Sequence, residues 1–186
     1  MDRLGQFLSS MKAHDNKRLN ESMKYNDLML LVDKGGSRLQ KESIPDEVCM
    51  ELKKKMEQTW DISKSYWYPL FECKRPDLIA FNSQYIESEE KLEVIISLLK
   101  NHGVEQVLEF LETDHSYKIE VSNLYPYYCY NGEFIGGEGF WCSDKMDWII
   151  YASHEGTITF GGDWLVKSLK SLWSDWKQNI DWDTKN

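Results

Sequence analysis

The sequence has 186 residues, with 22 Lys+Arg against 31 Asp+Glu and a formal net charge of -9 at pH 7. This length is typical of one domain, and 41% hydrophobic residues with only 4 prolines exclude disordered, collagen-like and low-complexity architectures. An acidic balance argues against binding to nucleic-acid phosphates, which requires basic side chains. No apolar run is long enough to span a membrane and no secretory leader is recognisable, so we expect a cytoplasmic protein without a membrane or nucleic-acid partner.

The first part of the chain, residues 1–115, is predicted to be mostly helical. One kinked helix or two short ones are expected over residues 2–34, where leucine, methionine and phenylalanine recur at helical spacing. A further helix is expected to begin at Asp46 with Ser43 as its capping residue and to run to about Thr59. Three of its apolar side chains should form the buried face: Val48, Leu52 and Met56.

The centre of the chain contains one proline-flanked apolar segment and two predicted helices. Leu78–Phe81 is rich in strand-forming residues and predicts an edge strand or an extended loop. Ser88 caps a helix that ends at residues 101–103. The segment 104–112 predicts the second arm of a helical hairpin, because its apolar residues recur at near-helical spacing: Val107, Leu108 and Leu111.

The remaining region, residues 116–178, is predicted to be rich in β-structure and to end in a helix. Its best hairpin joins residues 147–153 to residues 157–160 through a three-residue loop that ends in Gly156, and this loop length sets Ala152 opposite Ile158. A closing helix is expected from Asp163. These elements predict a single α+β domain over residues 1–186, with N-terminal and central helices packed on a mixed or antiparallel sheet.

No pattern for a cofactor or a metal is found. The four cysteines lie far apart without a C-x-x-C pair, so buried reduced thiols are expected, and we expect no cofactor and no metal. His154 and Glu155 at the hairpin tip, with Asp144 and His115 elsewhere, could form a small-molecule enzyme site. Their spacing fits no ligand motif, so exposed turn residues are the preferred interpretation of the hairpin tip.

Acidic and aromatic side chains concentrate in the second half of the chain. Residues 94–186 hold 7 basic and 14 acidic side chains, a balance of -7, which would attract a basic partner. Trp141 lies among acids and turn residues, so we expect it to be partly exposed, as in the contact surfaces of binding proteins. The predicted partner-binding residues combine charge with aromatic bulk near one hairpin: Glu138, Trp141, Asp144, Asp147, Tyr151 and Glu155.

The stretch from Asp147 to Leu165 carries a resemblance. Its Trp-rich strand, Ser-His-Glu turn, second strand and following helix resemble the ending of small bacterial proteins, uncharacterised or of the immunity type in polymorphic toxin systems. The resemblance covers roughly 40 residues. It implies an inhibitor that binds and blocks a toxin domain and performs no chemistry of its own.

The sequence therefore predicts a binding protein of the immunity-inhibitor type with a basic protein partner. Two alternatives stay open: a self-associating scaffold domain, and a small-molecule enzyme that uses His154 and Glu155. A small ligand against the rings of residues 125–130 also stays open, as do the partner's identity and the oligomeric state.

Overall fold

A computed structural model describes residues 41–62, 67, 73, 75–112, 116–127 and 138–181. The helices predicted over residues 2–34 lie outside these ranges. The described strands are β1 (Glu42–Ser43), β2 (Leu78–Asn82), β3 (Gln106–Leu111), β4 (Tyr117–Glu120), β5 (Gly139–Cys142), β6 (Ile149–Ala152) and β7 (Thr157–Gly161). They form one sheet in the order β1-β4-β3-β5-β6-β7-β2, and every pairing is antiparallel.

Helices accompany this sheet, and the predicted α+β class is confirmed. They are α1 (Asp46–Trp60), α2 (Ser83–Ile86), α3 (Glu89–Asn101) and α4 (Asp163–Leu172), with 3₁₀ turns at Val121–Asn123 and Trp176–Gln178. The helix predicted after Ser88 is confirmed, because the hydroxyl of Ser88 accepts a hydrogen bond from the backbone N–H of Lys91 at 3.2 Å. The closing helix is confirmed as α4.

Both faces of the sheet are buried. One face packs with Ile95 and Leu99 of α3 and with Leu165 and Leu169 of α4. The other face packs with Met56 and other residues of α1 and the segment after it. A sheet covered on both sides explains why successive residues of its central strands, which face opposite sides, are all buried, as they are from Ile149 to Ala152.

The predicted hairpin and its register are confirmed, although its first strand is shorter than the predicted 147–153, at Ile149–Ala152, and its second is Thr157–Gly161. Ala152 pairs with Ile158, and Ile150 pairs with Phe160. Gly156 has φ +81°, the left-handed conformation that the three-residue loop requires and that glycine adopts without steric cost.

The helical hairpin predicted over residues 104–112 is wrong, since this segment forms strand β3 in the middle of the sheet. Val107 and Glu109 lie on one face, Leu108 and Phe110 lie on the other, and all four are buried. A strand that is buried on both sides reads as a continuous apolar run, which periodicity alone does not distinguish from a helix.

Helix α1 is confirmed, but two details of its prediction are wrong. Its N-cap is Pro45 with no side-chain cap, because Ser43 is part of β1. Met56 is buried as expected, whereas Val48, in the first turn of the helix, is 46% exposed.

The segment that follows α4 returns to the outer side of β2. The backbone N–H of Asn82 donates to the carbonyl of Asn179 at 3.2 Å, and that of Asp181 donates to the carbonyl of Ala80 at 3.1 Å. Phe81 and Ile180 form an isolated antiparallel bridge between these two bonds.

Candidate functional site

The predicted partner-binding residues lie at two opposite ends of the sheet. Asp144 and Asp147 are on the β5–β6 loop (residues 143–148), which follows the end of β5. Glu138 precedes β5, and Glu155 is on the β6–β7 loop (residues 153–156). A four-residue strand spans roughly 13 Å between these ends. Adjacent antiparallel strands carry these acids at opposite ends, so the acids do not form one continuous patch, and their role in binding a partner stays a prediction.

Three members of the predicted surface are buried. Trp141 is 1% exposed, Tyr151 is 2% exposed and Glu138 is 5% exposed. The expectation of a partly exposed Trp141 is wrong, because its ring packs in the core and its indole N–H donates to the buried carboxylate of Glu109 at 3.0 Å. Glu109 is paired in turn with Lys41 Nζ at 2.7 Å. The aromatic and acidic pattern here forms an internal network.

Glu138 organises the β6–β7 end of the sheet as a buried acceptor. One of its carboxylate oxygens accepts from the hydroxyl of Tyr151 at 2.5 Å. The other accepts from the hydroxyl of Ser153 at 3.4 Å and from the backbone N–H of His154 at 3.3 Å, and it also contacts His154 Nδ1. These donors compensate the cost of placing a carboxylate out of water.

The imidazole of His154 lies between two carboxylates. Its Nδ1 contacts Glu138, and its Nε2 lies 3.2 Å from Glu155 Oε1. The hydrogen bond to Glu138 raises the pKa of His154, and the negative charges of Glu138, Glu155 and Glu112 raise it further against the smaller opposing effect of burial. The stabilisation from protonated His154 is therefore present at low pH and is lost as the pH rises through the histidine's folded-state pKa.

Burial is the main cause that raises the pKa of the Tyr151 hydroxyl, and its hydrogen bond to Glu138 adds to the effect. Tyr151 therefore stays protonated and acts as a donor. Its ring stacks on Phe140 of the neighbouring strand, with centroids 4.6 Å apart, and Trp67 packs against its edge. The phenol thus joins the aromatic core to the buried carboxylate.

A groove of about 490 Å³ lies at the β5–β6 end of the sheet. Aliphatic side chains from the start of α1, from α1 itself and from the segment before β3 line it, and these include Ile44, Val48, Leu52 and Val104. Charged residues also line it: Glu42, Glu105, Asp144, Asp147, Lys118 and Lys145, with His102 beside them. Its volume lies within the range of ligand-binding clefts.

The rim of this groove is acidic. Four lining carboxylates, all on exposed residues, stand against two lysines. In the part of the chain that the structure describes, none of the four carboxylates forms a salt bridge with Lys or Arg. Asp144 and Asp147 are thus brought together with Glu42 and Glu105, while Glu155 lies at the other end of the sheet.

Sequence reasoning missed the two carboxylates that complete the groove rim, Glu42 and Glu105, and the buried Glu109. Glu109 lies inside an otherwise apolar segment, and reading that segment as a strand would have indicated a buried, partnered carboxylate. Glu42 and Glu105 are far apart in sequence, and only the pairing of β1, β4 and β3 brings them to one end of the sheet.

The other candidate residues have separate positions. The rings of Tyr125 and Tyr127 pack edge to face, with their centroids 4.7 Å apart. The hydroxyl of Tyr127 donates to the carbonyl of Ile86 at 3.2 Å. His115 and residues 128–130 lie outside the described residues.

Among the described residues, no three His, Cys, Asp or Glu side chains are arranged to hold a metal ion, and no helix has the length and apolarity of a membrane span.

No protein-family model, curated protein sequence or solved structure matches this chain. The protein has an α+β fold with an antiparallel sheet. An aliphatic groove with an acidic rim lies at one end of this sheet, and His154 lies between two carboxylates at the other end.

Proposed function

We propose that this protein is a cytoplasmic binding protein, an immunity-type inhibitor that blocks a basic toxin domain by covering part of its surface. The observation that carries the proposal is the group of exposed carboxylates around the β5–β6 loop, Asp144 and Asp147 among them. The excess of acids in residues 94–186 supports it, because long-range attraction raises the rate at which a basic partner associates.

In this proposal the residues of the predicted surface have different roles. Asp144 and Asp147 contact the partner, and Glu155 belongs to a separate surface at the other end of the sheet. Trp141 and Tyr151 do not contact the partner but hold the strands that carry the surface in place, because each donates a hydrogen bond to a buried carboxylate. Exposed aliphatic side chains such as Val48 supply the apolar contact with the partner, because the aromatic rings of Trp141 and Tyr151 are buried.

The experiment is a capture from lysate of the source cell at low and high salt, followed by an assay of whether the captured protein is inhibited. The wild type is compared with Asp144→Lys and with a control of equal charge change, Glu93→Lys on an exposed position of α3. We expect salt-sensitive capture that Asp144→Lys weakens and Glu93→Lys preserves, because exposed charge pairs are screened by salt. Equal binding of unrelated basic proteins, or no inhibition, would refute the proposal.

A second candidate function, a small-molecule enzyme, has one observation in its favour. The buried Glu138 orients His154 through Nδ1, as a carboxylate orients an imidazole that acts as a general base. Against it, Nε2 of His154 is paired with Glu155, and Asp144 lies at the opposite end of the sheet. An activity that His154→Ala abolishes and Asp144→Lys retains would favour the enzyme.

A further inference from the structure

We infer that the groove at the β5–β6 end binds a short segment of the partner that carries an arginine beside an aliphatic side chain. This inference rests on the proposed function and names the part of the partner that the groove recognises. Its basis is the combination of an aliphatic lining with a rim of carboxylates in one cleft of about 490 Å³.

The lining provides a surface for an aliphatic stem. Val48 is 46% exposed in the first turn of α1. Leu52 lies one helical turn further along the same side and also lines the groove. Val104 lines the groove from the turn that follows α3. Such a surface suits the methylene groups of a long basic side chain, which lie on apolar residues while the charged head stays in water.

The rim provides acceptors for the charged head. Glu42, Glu105, Asp144 and Asp147 outnumber the two lining lysines, so a cation is favoured over an anion. The planar guanidinium of arginine donates two parallel hydrogen bonds to one carboxylate, which lysine does not. Arginine is therefore the basic side chain that this combination of stem surface and acceptors fits best.

The loop that carries two of these acids is held in place before any partner binds. The hydroxyl of Ser143 donates to Asp147 Oδ1 at 2.5 Å, and Lys55 Nζ of α1 donates to the carbonyl of Asp144 at 2.5 Å. Met146, with φ +61°, is 1% exposed and anchors the turn between the two acids. A preformed loop reduces the entropy that is lost when a ligand is bound.

The test uses the full chain with ¹³C-labelled methyl groups and two capped peptides, acetyl-Val-Arg-Val-amide and the same peptide with citrulline in place of arginine. Citrulline has nearly the same shape and no charge. We expect methyl shifts at Ile44, Val48, Leu52 and Val104, with the arginine peptide binding about tenfold more tightly than the citrulline peptide. Asp144→Lys should lower the affinity for the arginine peptide alone by a similar factor, while the control Glu93→Lys should leave it unchanged.

The outcomes separate this inference from the proposed function. Equal affinity for the two peptides, no binding of either, or methyl shifts confined to other parts of the chain would overturn the inference. If capture of the basic partner remains sensitive to Asp144→Lys under those outcomes, the proposed function stands and its contact is a broader folded surface. Absence of any inhibited partner refutes the proposed function, whatever the peptides do.

Discussion

Replacing Glu138 by glutamine is expected to destabilise the protein, and to do so more at pH 6 than at pH 9. Glutamine keeps the size of the side chain and an acceptor for the Tyr151 hydroxyl, but it removes the charge that faces His154. The raised pKa of His154 means that the folded state favours the protonated ring. That preference stabilises the fold below the pKa of an unfolded-chain histidine, about 6.5, and disappears as the pH rises through the folded-state value.

The magnitude follows from two contacts. A hydrogen bond to a charged acceptor contributes about 1.5 to 3 kcal/mol and one to a neutral acceptor about 0.5 to 1.5 kcal/mol, so the weakened bond from Tyr151 costs about 1 kcal/mol at any pH in this range. The side chain of His154 is 55% exposed. Its pairing with Glu138 therefore adds no more than about 1 kcal/mol, and only while the ring is protonated. The expected loss is about 2 kcal/mol at pH 6 and about 1 kcal/mol at pH 9.

The assay is urea unfolding of the wild type and Glu138→Gln at several pH values between 6 and 9, with an NMR titration of His154 in both proteins. For a chain of this size, 2 kcal/mol corresponds to a decrease in Tm of about 4 to 8 °C. Glu155→Gln is the matched control, because Glu155 is 49% exposed and should change the stability by less than about 0.5 kcal/mol. The reasoning fails if the difference between wild type and Glu138→Gln is the same at both pH values, or if the titration of His154 is unchanged.

Four further substitutions test the packing, all by urea unfolding. Gly162→Ala should cost about 2 to 5 kcal/mol, because φ is +112° and the added Cβ would lie 2.6 Å from a backbone carbonyl oxygen; a cost below 1 kcal/mol would contradict this. Trp141→Phe should cost about 1 to 3 kcal/mol, since it removes the donor to buried Glu109. Met56→Ala should cost about 2 to 5 kcal/mol because Met56 is buried, and Val48→Ser less than about 0.5 kcal/mol because Val48 is exposed; equal costs would contradict this difference in burial.

The parts of the fold that were predictable from sequence are those governed by local chemistry. The hairpin at residues 147–160 is specified by a loop of fixed length ending in Gly156, and loop length sets strand register. The start of α3 is specified by Ser88, whose side chain accepts the bond that a helix end needs.

The parts that were not predictable depend on distant partners. Strand β3 is buried on both faces because helices cover both sides of the sheet, and no local pattern records that coverage. Trp141 lies among acids in sequence, yet the acid that it contacts is Glu109, which is 32 residues away. The groove rim likewise joins Glu42, Glu105 and the β5–β6 loop only through the order of the strands.

The bonds between residues 179–181 and β2 have a consequence for how the protein behaves at high concentration. A strand at the margin of a sheet exposes unpaired N–H and C=O groups, which can pair with a strand of another molecule and start aggregation. Residues 179–181 occupy two of those groups, the N–H of Asn82 and the C=O of Ala80, on either side of Phe81. Removal of this short segment would leave an apolar strand open to intermolecular pairing, so these few residues protect solubility as well as structure.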